Sequence, residues 1–274
     1  MTEATAGARK VMVITGASGG IGADLARYAA TKGHDLALVA RNRATLDALA
    51  DEIAALPGRA LPRPLVFDFD LARPGTPAAL AGALDAAGAA PEILVNNAGY
   101  GALGPAVDGD LAEQLGMIDL NIRALTELSL IFAPKLIAAK GRLLNLASIV
   151  SFMPGPGMAV YYASKAYVLS FSEALSVELA PRGVSVTALC PGPVPTGFQA
   201  RARFSKGMDG MFRLALSSSE VAKIGYHGMM AGKRVVIPGL ATKLAAWTLP
   251  LAPKAATLAT VAALQLRRRD KEVA

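Results

Sequence analysis

The amino-acid sequence predicts an α/β fold in which helices cover both faces of one parallel sheet. Short apolar runs alternate along the chain with longer segments whose apolar residues recur about every 3.6 positions. The 274 residues are 53% hydrophobic but only 5% aromatic, which suits helices packed closely on a parallel sheet. A glycine-rich turn lies directly between the first apolar run and the first helical segment. With 18% charged residues and a mean hydropathy of +0.40, the composition excludes a disordered or disulfide-stapled chain.

Seven short apolar runs predict strands, and the segments between them predict helices of ten or more residues. The strands are predicted at residues 11–15, 35–40, 65–69, 92–95, 142–147, 184–189 and 235–237. The helices are predicted at residues 21–31, 44–55, 78–87, around 110–140 and 163–179. Parallel strands need crossover connections, so this alternation predicts a single doubly wound, Rossmann-type domain over residues 1–240.

Residues 193–219 interrupt the alternation and show no clean period. They follow a predicted strand end, where ligands bind in sheets of this kind, so we expect a lid over about 193–219. Ser217 and Glu220 form an S-x-x-E capping box, which predicts that a further helix begins there.

Residues 241–274 form an apolar and basic C-terminal extension, which we expect to be helical. Two prolines and two lysines interrupt its apolar run, whereas a membrane span needs about 20 consecutive apolar residues, so no span is expected. The net charge is +7, and from residue 241 onward six cations face two acids, so more than half of the excess lies here. Because no basic patch interleaved with aromatic residues accompanies it, nucleic acid is not an expected partner.

The glycine-rich turn at residues 15–22 reads TGASGGIG. Glycines let the backbone approach a pyrophosphate, whose charge then meets the free N–H groups at the start of the helix. Placed after the first strand of an alternating chain, the turn predicts a dinucleotide site rather than a plain tight turn. The residues expected at the nucleotide are Gly16, Ser18, Gly20, Ile21 and Gly22.

The end of the second predicted strand indicates which dinucleotide is preferred. An NAD-selective site places a carboxylate there, but the sequence reads Val-Ala-Arg-Asn-Arg over residues 39–43. Arg41 can pair bidentately with a 2′-phosphate, and Ser18 can add a hydroxyl, so NADP(H) is expected over NAD(H). The alternative is that Arg41 and Arg43 are solvated loop charges.

Tyr161 and Lys165 are four residues apart, which places both on one face of a helix. An ordinary tyrosine has a pKa of about 10, and a nearby ammonium lowers it by favouring the phenolate. Such a pair can exchange a proton with a substrate oxygen. The neighbouring Tyr162 is the rival for this role, but it lies only three residues from Lys165.

With these motifs the chain resembles the short-chain dehydrogenase/reductase family. The matching features are TGxxxGIG at 15–22, NNAG at 96–99, Asn121, Ser148 at a strand end, Tyr161 with Lys165, and the segment 191–196. Their order and spacing agree over about residues 10–240. The resemblance implies an NADP(H)-dependent enzyme of the carbonyl reductase or alcohol dehydrogenase type, and a homodimer or homotetramer.

The resemblance also implies roles for four side chains. Tyr161 would be the acid or base at the substrate oxygen, and Lys165 would lower the pKa of Tyr161 and hold the nicotinamide ribose. Ser148 would orient the substrate oxygen, and Asn121 would hold a water that relays protons to Lys165. Hydride would pass between the nicotinamide and the substrate carbon.

Further cofactor contacts follow from the same resemblance. Asp70 is expected near the adenine, with Asp68 as a competing candidate, and Asn97 and Gly99 are expected beside the adenosine ribose. The strand-end segment then supplies the remaining cofactor-binding residues, Pro191 together with Gly192, Val194 and Thr196, the last three against the carboxamide.

Met and Phe residues near the site predict an apolar, adaptable pocket. They are Phe152, Met153, Met158, Phe198, Phe204, Met208, Met211 and Phe212. The expected substrate is therefore a small apolar ketone, aldehyde or secondary alcohol rather than a free sugar.

The remaining reactive residue types predict no further chemistry. His34 and His227 have no ligand-spaced partners, so no metal is expected. Cys190 cannot form an internal disulfide and is interpreted as a small buried hydrophobe. With no stretch that resembles a secretion signal, the expected location is the cytoplasm.

Two alternatives to a freely diffusing enzyme stay open at this point. The fold could sense NADPH and regulate a partner with little turnover, although a sensor does not need the proton-relay residues. The basic and apolar extension could also contact an anionic membrane surface, or pack on the fold or on a neighbouring subunit.

Overall fold

A computed structural model describes residues 8–58, 60–198, 202 and 215–266. It confirms the α/β fold: seven strands form one parallel sheet in the order β3-β2-β1-β4-β5-β6-β7. The strands are β1 (Arg9–Thr15), β2 (Leu36–Ala40), β3 (Leu65–Asp68), β4 (Ala89–Asn96), β5 (Arg142–Leu146), β6 (Ser185–Leu189) and β7 (Val235–Val236). Because β1 pairs with both β2 and β4, the chain reverses its direction of travel across the sheet beside β1, where such sheets bind ligands.

Helices cover both faces of the sheet and divide the core into two layers. The described helices are α1 (Gly20–Thr31), α2 (Arg43–Ala54), α3 (Thr76–Ala86), α4 (Leu111–Ile118), α5 (Leu125–Ala139), α6 (Ala159–Leu179), α7 (Ser218–Met230), α8 (Leu240–Thr248) and α9 (Lys254–Gln265). One layer packs α1, α2 and α7 on the sheet, and the other packs α3, α5 and α6. The capping box predicted at Ser217 and Glu220 is confirmed at the start of α7.

Most predicted boundaries differ from the observed ones by one or two residues, and α6 begins at Ala159 rather than at residue 163, so that Tyr161 lies inside the helix. Strand β4 begins at Ala89 rather than at residue 92, because its first residues pair with Arg9 and Lys10 of β1 although Ala and Pro are poor strand formers. The helix predicted around 110–140 contains a π-helical turn, Asp119–Ala124, between α4 and α5. Such turns concentrate at functional sites, and this one carries Asn121.

A buried polar network holds α5 and α6 against the sheet. The amide Nδ2 of Asn96 donates to Asn145 Oδ1 at 2.9 Å and to Ser129 Oγ of α5 at 3.0 Å. The amide Nδ2 of Asn145 donates to Ser172 Oγ of α6 at 2.9 Å. Buried amide N–H groups are costly unless paired, so these hydrogen bonds favour the observed lateral position of the two helices.

Helices α8 and α9 lie against the carboxyl edge of the sheet, joined by the helical turn Leu249–Leu251. Thr242 of α8 contacts Gly192 beyond β6, and Val261 of α9 packs with Met158 and Tyr162. None of the helices in the described ranges is long and apolar enough to cross a membrane.

Candidate active site

A cavity of about 710 Å³ follows the carboxyl ends of six neighbouring strands. Residues after β1, β2 and β3 line one part, residues after β4, β5 and β6 line a second part, and the C-terminal helical segment lines the remaining wall. Every sequence-predicted site residue lines this cavity except Gly22 and Asn121, which lie behind its wall.

The glycine-rich turn closes one end of the cavity by backbone packing. Gly16 has a φ of +65°, and a side chain there would bring its Cβ within 2.8 Å of Asn97 Nδ2. The Asn97 amide donates to Thr15 O at 2.9 Å and to Gly16 O at 3.1 Å, which joins the turn to the end of β4. A Cβ at Gly22 would lie 2.4 Å from Gly16 O, so this glycine allows α1 to start directly under the turn. The cradle fits a dinucleotide pyrophosphate.

The basic residues after β2 differ in their partners. Arg41 lines the cavity with Ser18 and Asn42, whereas Arg43 pairs with the carboxylates of Asp47 and Asp68. Within the described ranges Arg41 forms no ion pair, which leaves its guanidinium available to an anion.

The two acids after β3 are likewise separated by the fold. Asp70 lines the cavity, and Asp68 faces away from it toward Arg43 at 3.2 Å. The geometry therefore favours Asp70 over Asp68 for the expected contact with adenine.

Tyr161 and Lys165 share one face of α6 at the cavity wall, with Lys165 Nζ 5.9 Å from the Tyr161 ring centre. Lys165 is buried, and its ammonium donates to Leu146 O at 2.6 Å. Burial lowers the pKa of Lys165 to about 8. Burial also raises the pKa of Tyr161 above its ordinary value, while a hydrogen bond with Ser148 acts in the opposite direction. Without a bound nicotinamide, burial therefore sets the direction of the Tyr161 pKa, and the lowering expected from Lys165 and a positive nicotinamide stays a prediction.

The two tyrosines differ in their partners. Tyr161 interacts with the side chain of Ser148, which follows β5 and caps the helical turn Ile149–Phe152. The Tyr162 hydroxyl instead accepts a hydrogen bond from Gln265 Nε2 of α9 at 2.6 Å. These partners favour Tyr161 over Tyr162 as the tyrosine expected at a substrate oxygen.

Asn121 lies behind the cavity wall. Its Oδ1 accepts from the Tyr100 N–H at 3.1 Å, and its Nδ2 donates to Tyr100 O at 2.9 Å and to Ser164 Oγ at 3.0 Å. A Cβ at Gly99 would lie 2.9 Å from Asn121 Oδ1 and 3.4 Å from Lys165 Nζ. Gly99 thus allows the loop after β4 to pass close to both side chains.

The comparisons with known proteins agree with this geometry. The family model for short chain dehydrogenases matches residues 10–206. The chain belongs to the short-chain dehydrogenase/reductase family. It is 35% identical to a short-chain dehydrogenase from Sphingobium yanoikuyae solved in complex with NADPH, with a TM-score of 0.77 over 87% of this chain and 92% of that chain.

Two further members of the family are similar to it. The bulky-bulky ketone specific alcohol dehydrogenase from Comamonas testosteroni is 30% identical, with a TM-score of 0.71 over 84% of this chain and 86% of that chain. A short chain dehydrogenase of Pseudocercospora fijiensis is 34% identical over 188 residues, which are 68% of this chain. The chain spans only 60% of that relative's length.

The segment after β6 lines the part of the cavity where the nicotinamide is expected. Pro191, Gly192, Val194 and Thr196 all line the cavity. A Cβ at Gly20, at the start of α1, would lie 3.2 Å from Thr196 Cγ2, so this segment closes over the glycine-rich turn.

The predicted apolar pocket is partly corrected. Met153, Met158 and Phe198 line the cavity, and the Phe198 ring lies 5.3 Å from the Tyr161 ring. Phe152 does not line the cavity and packs instead, half-buried, against the apolar cluster that includes Ala147 and Cys190. Of the expected lid, Phe204, Met208, Met211 and Phe212 lie outside the described residues.

Sequence reasoning missed the wall that the C-terminal helices contribute. The cavity-lining residues there are Leu249, Thr260, Val261, Leu264 and Gln265. It also missed Tyr100, which lines the cavity and bonds to Asn121. The only available signal was Gln265 itself, a long polar residue at the end of a helix that otherwise contains Ala, Leu, Val and Thr after Lys254.

The remaining candidates take no part in the cavity. His34 bonds to the Tyr226 hydroxyl at 2.9 Å and His227 to the Tyr28 hydroxyl at 2.7 Å, and the described residues contain no cluster that could hold a metal ion. Cys190 is buried, and burial raises the pKa of its thiol to about 12.

The low pKa of Lys165 predicts a pH-dependent stability. Between pH 8 and about 10 the unfolded chain holds a proton on Lys165 that the folded protein has released, so the free energy of unfolding should rise with pH by up to about 1.4 kcal/mol per unit. Lys165→Met should remove this component from urea unfolding curves. Lys233→Met, at an exposed position, is the control. Identical slopes for the three proteins contradict the prediction.

Proposed function

We propose that this dehydrogenase is an NADP(H)-dependent oxidoreductase that acts on the carbonyl or secondary alcohol of a small apolar molecule. The observation that carries the proposal is that Tyr161 and Ser148 line the same cavity as the glycine cradle and the buried Lys165, with the Ser148 side chain acting to lower the pKa of Tyr161. When bound, a nicotinamide supplies or accepts the hydride. A sensor would need the cradle but not the buried hydroxyl pair.

The side chains then divide the proton chemistry among them. Ser148 Oγ and the Tyr161 hydroxyl hold the substrate oxygen, and Tyr161 donates its proton to that oxygen as the carbonyl carbon becomes an alcohol carbon. The raised pKa of Tyr161 keeps the phenol protonated at neutral pH, which is the form that carbonyl reduction uses. Lys165 then returns a proton to Tyr161, through a water held near Asn121. In alcohol oxidation each proton moves in the opposite direction.

The preference for NADP(H) rests on Arg41. Its guanidinium is on the cavity, without a carboxylate partner in the described ranges, and Ser18 lies on the same wall. A bidentate guanidinium–phosphate pair is a strong, charge-assisted interaction. The similar Sphingobium dehydrogenase was solved with NADPH.

The apolar substrate class rests on the cavity wall. Met153, Met158 and Phe198 line it from one side, and Val261 and Leu264 line it from α9. Such a wall offers few hydrogen bonds to a polyol, and unpaired substrate hydroxyls are costly to bury. The similar Comamonas enzyme is specific for bulky-bulky ketones.

We also propose a homodimer or homotetramer in the cytoplasm. Helices α4, α5 and α6 expose the large apolar side chains that a subunit contact needs, at Leu111, Leu115, Leu130 and Val177. The buried, unpaired Cys190 agrees with a reducing compartment.

Tyr161→Phe should lower kcat by about 10²–10⁴-fold, because the proton donor is lost, while NADPH binding is retained. Tyr162→Phe is the matched control, since it removes a neighbouring hydroxyl that bonds, among the described residues, to Gln265, and it should keep most of kcat. Steady-state NADPH oxidation and NADPH titration measure both. Equal kcat values for Tyr161→Phe and the parent protein would overturn the proposed function.

Arg41→Ala should raise the Kd for NADPH about 10–100-fold and leave the Kd for NADH nearly unchanged, because only NADPH carries the 2′-phosphate. Arg43→Ala, whose guanidinium is already paired with Asp47 and Asp68, should change both much less. Fluorescence titration with each nucleotide checks this. A similar loss of NADPH and NADH binding in Arg41→Ala contradicts the preference.

A panel of carbonyl compounds assayed with NADPH should show higher kcat/KM for aliphatic and aromatic ketones than for sugars. The apolar cavity wall is the physical reason. A clear preference for sugars would contradict the proposed substrate class.

A further inference from the structure

Helix α8 turns an apolar stripe toward solvent. Leu240, Leu244, Trp247 and Leu251 are 87%, 64%, 66% and 84% exposed. Their spacing of four, three and four residues places them along one side of the helix and of the helical turn that follows it. A surface helix ordinarily buries such a stripe against the core, so α8 presents the reverse arrangement.

The stripe cannot turn inward, because the opposite side of the helix is already packed. Thr242 contacts Gly192 beyond β6, Ala246 is buried, and Leu249 lines the cavity. These contacts fix the rotation of α8 and hold the four apolar side chains outward.

The charge around the stripe is positive. Lys243 lies beside it, with its Nζ 5.3 Å from the Trp247 ring centre, and Lys254 follows Leu251 by three residues. The sequence contains no acidic residue between Glu220 and Asp270. Exposed leucine and tryptophan flanked by lysine match the interface between lipid headgroups and acyl chains, where anionic phosphates meet the ammonium groups.

We propose that this stripe is a peripheral membrane-binding face that takes an anionic phospholipid surface. The leucines and Trp247 enter the boundary between headgroups and acyl chains, and Lys243 and Lys254 pair with lipid phosphates. The binding is superficial, since no helix in the described part of the chain can cross a bilayer.

A second copy of the chain fits the stripe less well. A symmetric contact places the same patch on both sides, so Lys243 and Lys254 would face their own copies with no neighbouring acid in this stretch of sequence. The apolar surfaces of α4, α5 and α6 belong to other elements and do not need the stripe. Charge therefore favours an anionic surface over self-association.

Trp247 is the only tryptophan of the chain, so its emission reports on the stripe directly. We expect the full-length protein to co-sediment with phosphatidylcholine vesicles that contain about one-third phosphatidylglycerol, with a blue shift of Trp247 emission, and to bind vesicles of phosphatidylcholine alone much less.

Leu244→Asp should lower the vesicle affinity at least about tenfold. Lys243→Glu and Lys254→Glu together should lower it several-fold, and added salt should have the same effect. Val107→Asp, at a 93% exposed position on another element, is the matched control and should bind as the parent protein does.

Three results would overturn the proposal: no binding to the anionic vesicles, equal binding to both vesicle types, or an equal loss of binding in Val107→Asp. A smaller mass of Leu244→Asp by light scattering without vesicles would also overturn it, by assigning the stripe to a subunit contact. Circular dichroism and NADPH titration verify that each variant is folded. Because none of these measurements uses turnover, they stay independent of the proposed enzymatic activity.

Discussion

The polar network buried between β4, β5 and the helices α5 and α6 is the constraint on which the site depends. Asn96 and Asn145 stand at corresponding positions of neighbouring strands, and each also bonds to a serine of a covering helix. Apolar packing alone tolerates small sliding of a helix, whereas buried amides lose a hydrogen bond when the register changes. The network therefore fixes how far α6 extends over the sheet edge, and with it where Tyr161 and Lys165 meet Ser148.

Features that depend on local geometry could be predicted from the sequence. The glycine-rich turn was predictable because glycine readily adopts the φ of +65° found at Gly16 and allows the close approach found at Gly22. The shared helical face of Tyr161 and Lys165 was predictable from their spacing of four residues. The sequence could not show whether Asp68 or Asp70 lies at the expected adenine position, because that depends on the ion pair between Asp68 and Arg43. The direction of the Tyr161 pKa shift could not be predicted from the sequence either, because it depends on how deeply the tertiary fold buries the hydroxyl.

The C-terminal helices show the same limit more strongly. Their apolar and basic composition predicted a helical extension without saying where it packs, because Gln265 meets Tyr162 across 103 positions of sequence. One side of α8 and α9 thus builds the cavity wall, while the stripe on α8 faces outward. One short segment therefore contributes both to the cavity wall and to the proposed membrane-binding face.

Burial of the tyrosine–lysine pair has a consequence for the timing of proton transfer. Desolvation disfavours both charged forms, so it raises the pKa of Tyr161 and lowers that of Lys165 to about 8. The resting protein then holds a neutral phenol beside an ammonium that loses its proton only slightly above neutral pH. The same weak screening that disfavours these charges strengthens every charge–charge interaction in the cavity. A positive charge bound there stabilises the phenolate more than it could in water, so proton transfer from Tyr161 becomes favourable only when the cavity is filled.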